Sequence, residues 1–233
     1  MRAGFCILLL TVAGLATEAA ADARPYGDTL AFSATRNGQA IGRHALTFTR
    51  DGERLVVDTS IDLAVTLLGF TVYKYRHRNR EVWLGTRWMS FDSTTDDNGK
   101  PYAVKAQVAN DNVVVERELP RSGFFDHAND RGFHRAGPIR DRLTADVLPS
   151  THWNIRQVTQ ARLLNTQTGA VDRSDVTTGQ RETVATARGT VEATRYIYSG
   201  DVKFDQWFDA RGRWVKMAFP APDGSKIEYV LQD

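Results

Sequence analysis

The chain has 233 residues, of which 42% are hydrophobic and 25% charged, with a formal net charge of +2. That near balance supplies no global field for an anionic polymer, and a single cysteine, Cys6, excludes disulfide staples and thiolate metal sites. The length suits one substantial domain or two small ones, stabilised by a hydrophobic core alone.

The first residues read as an export signal. Arg2 gives a positive start, FCILLLTVAGLA an apolar run too short to span a bilayer, and TEAAADA small residues suited to cleavage after Ala21 or Ala23. Cys6 lies inside the apolar run and not at its end, which argues against a lipid-modified N-terminus. The expectation is a soluble periplasmic or secreted protein, a single β-rich unit over residues 22–233 with no transmembrane segment after signal removal.

Turn chemistry then punctuates the chain. Asn37-Gly38, Asp51-Gly52, Asn98-Gly99, Arg211-Gly212 and Asp223-Gly224 each separate runs of alternating character, the signature of antiparallel hairpins. Leu30, Phe32 and Ala34 share one face; His44, Leu46 and Phe48 share another. Leu55, Val57, Thr59, Ile61 and Leu63 alternate with Val56, Asp58, Ser60 and Asp62, as half-buried strands do.

The run GFTVYKYRHRNREVW, residues 69–83, interleaves aromatic and basic side chains. Placed on a strand, its even positions give Phe70, Val72, Lys74, Arg76, Arg78, Arg80 and Val82. The odd positions give Thr71, Tyr73, Tyr75, His77, Asn79, Glu81 and Trp83. Rings and cations therefore fall on opposite faces, whereas single-stranded nucleic acid needs both in one groove, so nucleic-acid binding is not expected. Two readings of the odd face stay open. It is either plain core, with His77 and Glu81 satisfying each other or the backbone, or the wall of a cavity in a curled sheet.

The acidic run DSTTDDNG, residues 92–99, lacks the alternate-position ligands of a calcium loop and reads as a hairpin. Residues 120–150 mix Gly, Pro and both charge signs, and read as a long crossover or lid. Helical spacing occurs at Ile139, Leu143 and Val147, and again at Ile155, Val158 and Leu163, which predicts one or two short helices. KFDQWF, RWVKMAF and KIEYVL form a terminal three-strand meander, whose last strand closes the sheet.

Chemistry-bearing motifs are few. No dinucleotide fingerprint, Walker loop, G-x-S-x-G or H-E-x-x-H occurs. The histidines are His44, His77, His127, His134 and His152. Those in HANDRGFH, with Asp126 and Asp130 beside them, have no strand or helix spacing that would hold a metal, so neither metal nor cofactor is expected.

GFTVYKYRHRNREVW, the turn TTDDNG, and the endings WFDARGRWV and DGSKIEYVL resemble an uncharacterised family of exported bacterial proteins of unknown function. The resemblance spans the mature chain and implies no catalytic residues. It is also similar, at the level of fold, to the curled sheets of periplasmic lipoprotein carriers, which implies ligand binding.

These observations predict an all-β fold, an antiparallel curled sheet or incomplete barrel with one or two short helices. The function expected is non-enzymatic binding of an apolar or amphipathic ligand such as a lipid. Tyr73, Tyr75 and Trp83 would supply apolar contact, while His77 and Glu81 would orient a polar head. Two alternatives are an envelope hydrolase with a histidine general base, and a structural envelope protein whose basic row, Lys74 to Arg80, meets a membrane or a partner.

Overall fold

The computed structural model describes residues 27–120 and 139–232. The expected signal segment, His127, His134 and most of the 120–150 crossover lie outside the described residues. No helix among the described residues is long and apolar enough to cross a membrane.

Fifteen strands form one sheet. In chain order they are β1 (Thr29–Arg36), β2 (Gln39–Asp51), β3 (Arg54–Leu67), β4 (Phe70–Leu84), β5 (Arg87–Asp97), β6 (Lys100–Ala109), β7 (Asn112–Glu118) and β8 (Ile139–Thr144). There follow β9 (Leu148–Pro149), β10 (Arg162–Leu164), β11 (Val171–Thr186), β12 (Gly189–Gly200), β13 (Phe204–Asp209), β14 (Trp214–Pro220) and β15 (Lys226–Leu231). Spatially, β8 to β1 run in descending order, β15 pairs with β1, and β14 to β9 continue to the far edge. All pairs are antiparallel except β9 with β10. The terminal meander thus joins the two halves through β15, with Ala34 opposite Tyr229.

Local chemistry explains the hairpins. Asn37 and Asn98 take φ of 49° and 52°, each followed by a glycine at positive φ, which matches the twist of the flanking strands. Period-two alternation buries Leu30, Phe32, Leu46, Phe48, Leu55 and Val57 on the concave side, where they join Trp83, Trp153, Phe208 and Trp214 in one core cluster.

The sheet curls without closing. The chain leaves edge strand β8 and enters β9, at the opposite edge, after only Ala145 to Val147, so the two edges lie within about 15 Å of each other. The Trp88 indole donates to the Val147 carbonyl at 2.8 Å and fixes this bridge. The chain then runs inside the curl. Trp153 and Gln157 are buried, and Arg156 reaches the Thr86 carbonyl at the end of the sheet that carries the β4–β5 turn. That end is plugged, and the other, with the turns at 37–38, 68–69, 98–99 and 221–225, is open among the described residues.

Of the one or two short helices expected, one is present among the described residues. Ile139 and Leu143 lie on strand β8, because a spacing of four keeps residues on one face of a strand as well as of a helix. The second stripe becomes a single 3-10 turn, Ile155–Thr159, capped by the Asn154 side chain.

Gly42 is sterically required. At φ 149° beside the bulge in the β1–β2 ladder, it faces β3 so closely that a Cβ would stand 2.0 Å from the Asp62 carbonyl oxygen. Gly42→Ala should lower unfolding stability by about 3 kcal/mol in urea titration, through strain and clash together.

Candidate functional site

The β3–β4 ladder builds the site one pair at a time. Its facing pairs, from the open end inward, are Val65 with Tyr73, Leu63 with Tyr75, Ile61 with His77, and Thr59 with Asn79. These eight residues line a cavity of about 840 Å³. Successive pairs are two residues apart, so the wall descends about 20 Å. It begins with apolar and aromatic side chains and ends with polar ones. The next pairs, Val57 with Glu81 and Leu55 with Trp83, lie below in the core. Three of the five residues expected to meet a ligand, Tyr73, Tyr75 and His77, therefore stand on the cavity wall. Glu81 and Trp83 form the layer that supports it.

The three expected residues on the wall are anchored. The Tyr73 hydroxyl donates to Asp97 at 2.7 Å and the Tyr75 hydroxyl to Gln167 at 2.9 Å, which leaves the rings to the cavity. Burial, first of all, raises the pKa of both phenols. His77 Nδ1 bonds the Thr95 hydroxyl at 2.8 Å, and its ring stacks on Tyr75.

Two further histidines reach the floor, from elements far apart in sequence. His44, on β2, and His152, in the internal segment, flank Trp214 with ring centroids 5.2 and 5.7 Å from it. His152 takes φ of 66°, a left-handed conformation for a non-glycine residue. Its carbonyl accepts from Gln206, which in turn accepts from Gln157, and both glutamines are buried. Several polar atoms on this floor find no hydrogen-bond partner among the described residues. They are both ring nitrogens of His44, the Thr59 hydroxyl, the Asn79 carbonyl oxygen and His152 Nδ1. Buried polar groups are normally paired, so a cluster of exceptions in residues that line one cavity is the chemical mark of this site.

Beneath the floor, Glu81 is fully buried. Its carboxyl accepts from the Trp83 indole at 2.9 Å and the Trp153 indole at 3.2 Å, with Thr151 and Asn79 at the edge of range. Of the partners open to them, His77 and Glu81 do not take each other: Glu81 takes these bonds and His77 takes Thr95. Burial lifts the Glu81 pKa to about 7 against the pull of its three donors, Trp83, Trp153 and Thr151. Burial also lowers His77 to about 4, helped by the charges of His152 and Arg78, and lowers His152 to about 4. His44 falls well below its usual value for the same main reason, with His152 and His77 adding to it. The three imidazoles are thus neutral at pH 7. Among the described residues no three metal-binding side chains converge.

The outer face of β4 is basic as expected, but most of its charge is spent locally. Arg78 makes a two-pronged pair with Asp62 and Arg80 with Asp58, both across the ladder to β3.

Sequence comparison supplies the family. The profile of DUF6134, a domain of unknown function, matches residues 32–232. The chain belongs to this family. No curated protein matches the sequence of this DUF6134 member. Among solved structures, it is similar to a β-barrel-like protein of the domain of unknown function DUF1849 from Brucella abortus. The TM-score is 0.58 at 11% identity, over 87% of this chain and 94% of that one. At that identity the likeness carries the DUF6134 fold alone.

Sequence reasoning identified the histidines singly and did not assemble them. His44 could have been found from its place on the buried face with Leu46 and Phe48, while nothing local marks His152.

Two measurements test this arrangement. Glu81→Leu strips the acceptor from the Trp83 indole and should lower stability by about 2 kcal/mol, with Glu81→Gln losing less. The second is the pH dependence of unfolding. On acidification from pH 7 to 5 the unfolded chain protonates three histidines that stay neutral when folded, whereas the folded chain protonates only Glu81. The unfolded state therefore takes up more protons and stability falls, by about 1.4 kcal/mol per pH unit for each unmatched proton. His77→Gln should flatten that slope by one proton. A flat wild-type profile would mean that the imidazoles are not held neutral.

Proposed function

We propose that the protein is an exported binder of apolar or amphipathic molecules, lipids among them, which enter the open end of the cavity with the polar group leading. The observation that carries the reading is the pairing of apolar walls with a floor of unpartnered polar atoms, at His44, Thr59, Asn79 and His152. A purely polar ligand would waste the wall, and a purely apolar one would leave the floor unsatisfied. Each neutral imidazole offers one N–H and one acceptor nitrogen, so the floor favours a head with donor and acceptor together, such as a hydroxyl, an amide or a protonated carboxyl. Tyr73 and Tyr75 supply the aromatic wall, and His77 is the wall residue best placed to meet the head. Export is part of this reading and rests on the sequence of residues 2–21.

Native mass spectrometry of the protein purified from its own host tests both parts. The expected result is a chain beginning after Ala21 with one amphiphile per chain, released and identified on denaturing extraction. Ile61→Trp fills the cavity and should abolish the adduct while circular dichroism stays unchanged, and His77→Ala should weaken capture about tenfold. A ligand-free mass that persists after incubation with envelope lipid extract would sink the proposal.

A further inference from the structure

The β3–β4 hairpin continues past the sheet. β2 pairs with β3 only as far as Leu63, and β5 pairs with β4 only from Tyr75. Beyond Lys74, whose backbone still bonds Asn98, Val65–Leu67 and Phe70–Tyr73 pair only with each other, as a two-stranded ribbon that projects about 10 Å. Residues 63–73, LAVTLLGFTVY, carry no charge. Of the seven large hydrophobic residues exposed among the described residues, four sit on this ribbon: Leu67, Leu68, Phe70 and Val72, with Leu68 89% and Phe70 76% exposed.

The turn is unfavourable twice over. Leu68 takes φ of 51° before Gly69, the position that Asn37 and Asn98 occupy in the neighbouring Asn-Gly turns. A leucine there bears left-handed strain that asparagine would relieve, and it exposes a side chain that water disfavours. Such paired penalties mark a segment held for a contact.

Charge around the same open end narrows the contact. Asp201 and Asp223 are paired with Arg173 and Arg36, whereas Asp97 and Asp96 accept from neutral donors, the Tyr73 hydroxyl and the Gly99 N–H. Lys74, beside the ribbon, Lys100, on the adjacent turn, and Lys203, on the cavity rim, make no ion pair among the described residues. An apolar prong flanked by lysines without ion pairs fits a bilayer surface, with the side chains entering the acyl boundary and the lysines meeting headgroup phosphates.

We propose that the β3–β4 hairpin is a membrane-docking prong that seats the cavity mouth against an anionic lipid surface. Leu67 and Val72 belong both to the exposed ribbon and to the cavity lining, so docking would put the apolar wall in continuity with the acyl region. The purpose of docking rests on the cavity reading; its chemistry rests on the hairpin alone.

The test uses the full mature protein with vesicles of phosphatidylcholine mixed with phosphatidylglycerol, and of phosphatidylcholine alone, read by flotation. The wild type should float with the mixed vesicles more than with the neutral ones, and the difference should fade with added salt. Leu68→Asn with Phe70→Thr spares the cavity lining and should weaken flotation about tenfold or more, while the unfolding midpoint holds or rises. Failure of the wild type to float with either vesicle, or equal flotation of the double variant, would overturn the proposal. So would a self-association that needs Leu68 and Phe70 in the absence of vesicles. A fluorescent acyl probe added without vesicles separates the two readings. Probe uptake without flotation leaves the cavity reading standing and removes docking; flotation without uptake does the reverse.

Discussion

The register between β3 and β4 is the constraint on which the rest depends. With a side-chain period of two, a slip of one residue would turn Arg76, Arg78 and Arg80 inward and His77, Glu81 and Trp83 outward. Burying three guanidinium groups without partners is prohibitive, so the wrong register is excluded by many kcal/mol. The exposed pairs Arg78–Asp62 and Arg80–Asp58 add little stability of their own, since exposed ion pairs are worth about 0–1 kcal/mol. Their contribution is to favour the register that lays the cavity wall down in order.

That order is a gradient with a built stop. Apolar pairs lead to polar pairs, and the polar pairs end where the chain from Ser150 to Gln160 crosses the interior. Trp153 packs edge-on against Trp83 and Phe48 at 5.3 and 5.5 Å, and the two indoles converge on one carboxyl. A buried carboxylate is costly in isolation, yet here Glu81 satisfies donors that would otherwise be orphaned in an aromatic layer. The support matters for the floor above it. His152 keeps a strained backbone conformation, and that persists only where surrounding bonds over-determine it, which the Gln206 and Gln157 pair does.

The parts of the fold that were legible in the sequence are those set by neighbours in the chain. The Asn-Gly turns, the alternation from Leu55 to Leu63 and the segregation of rings from cations in residues 69–83 all follow from local geometry, and all hold in the structure. What stayed hidden depends on distant segments. Whether an odd-face residue of β4 lines a void or packs in the core is decided by residues 150–167, so Tyr75 and Trp83 look alike in sequence and end up in different surroundings. The Ile139, Leu143 and Val147 spacing fits a helix and a strand equally, and pairing with β7 settled it. The turn at Leu68-Gly69 was overlooked because leucine is not a turn residue, and that anomaly is what gives the ribbon its interest.

Openness and neutrality together bear on how such a site would release its contents. A cavity with no fixed charge at its floor holds a head group by hydrogen bonds alone, each worth about 1 kcal/mol net, so most of the affinity must come from the apolar wall. The wall does not end at the rim but runs through Leu67 and Val72 onto the outer ribbon. On the proposed reading, a chain sliding outward would exchange one apolar contact for another, and would meet water only once it left the tip. Against a bilayer even that last exposure would disappear. The uncharged ribbon and the neutral imidazoles of the floor would then serve the same end, a lower barrier between a bound ligand and a lipid phase without a moving gate.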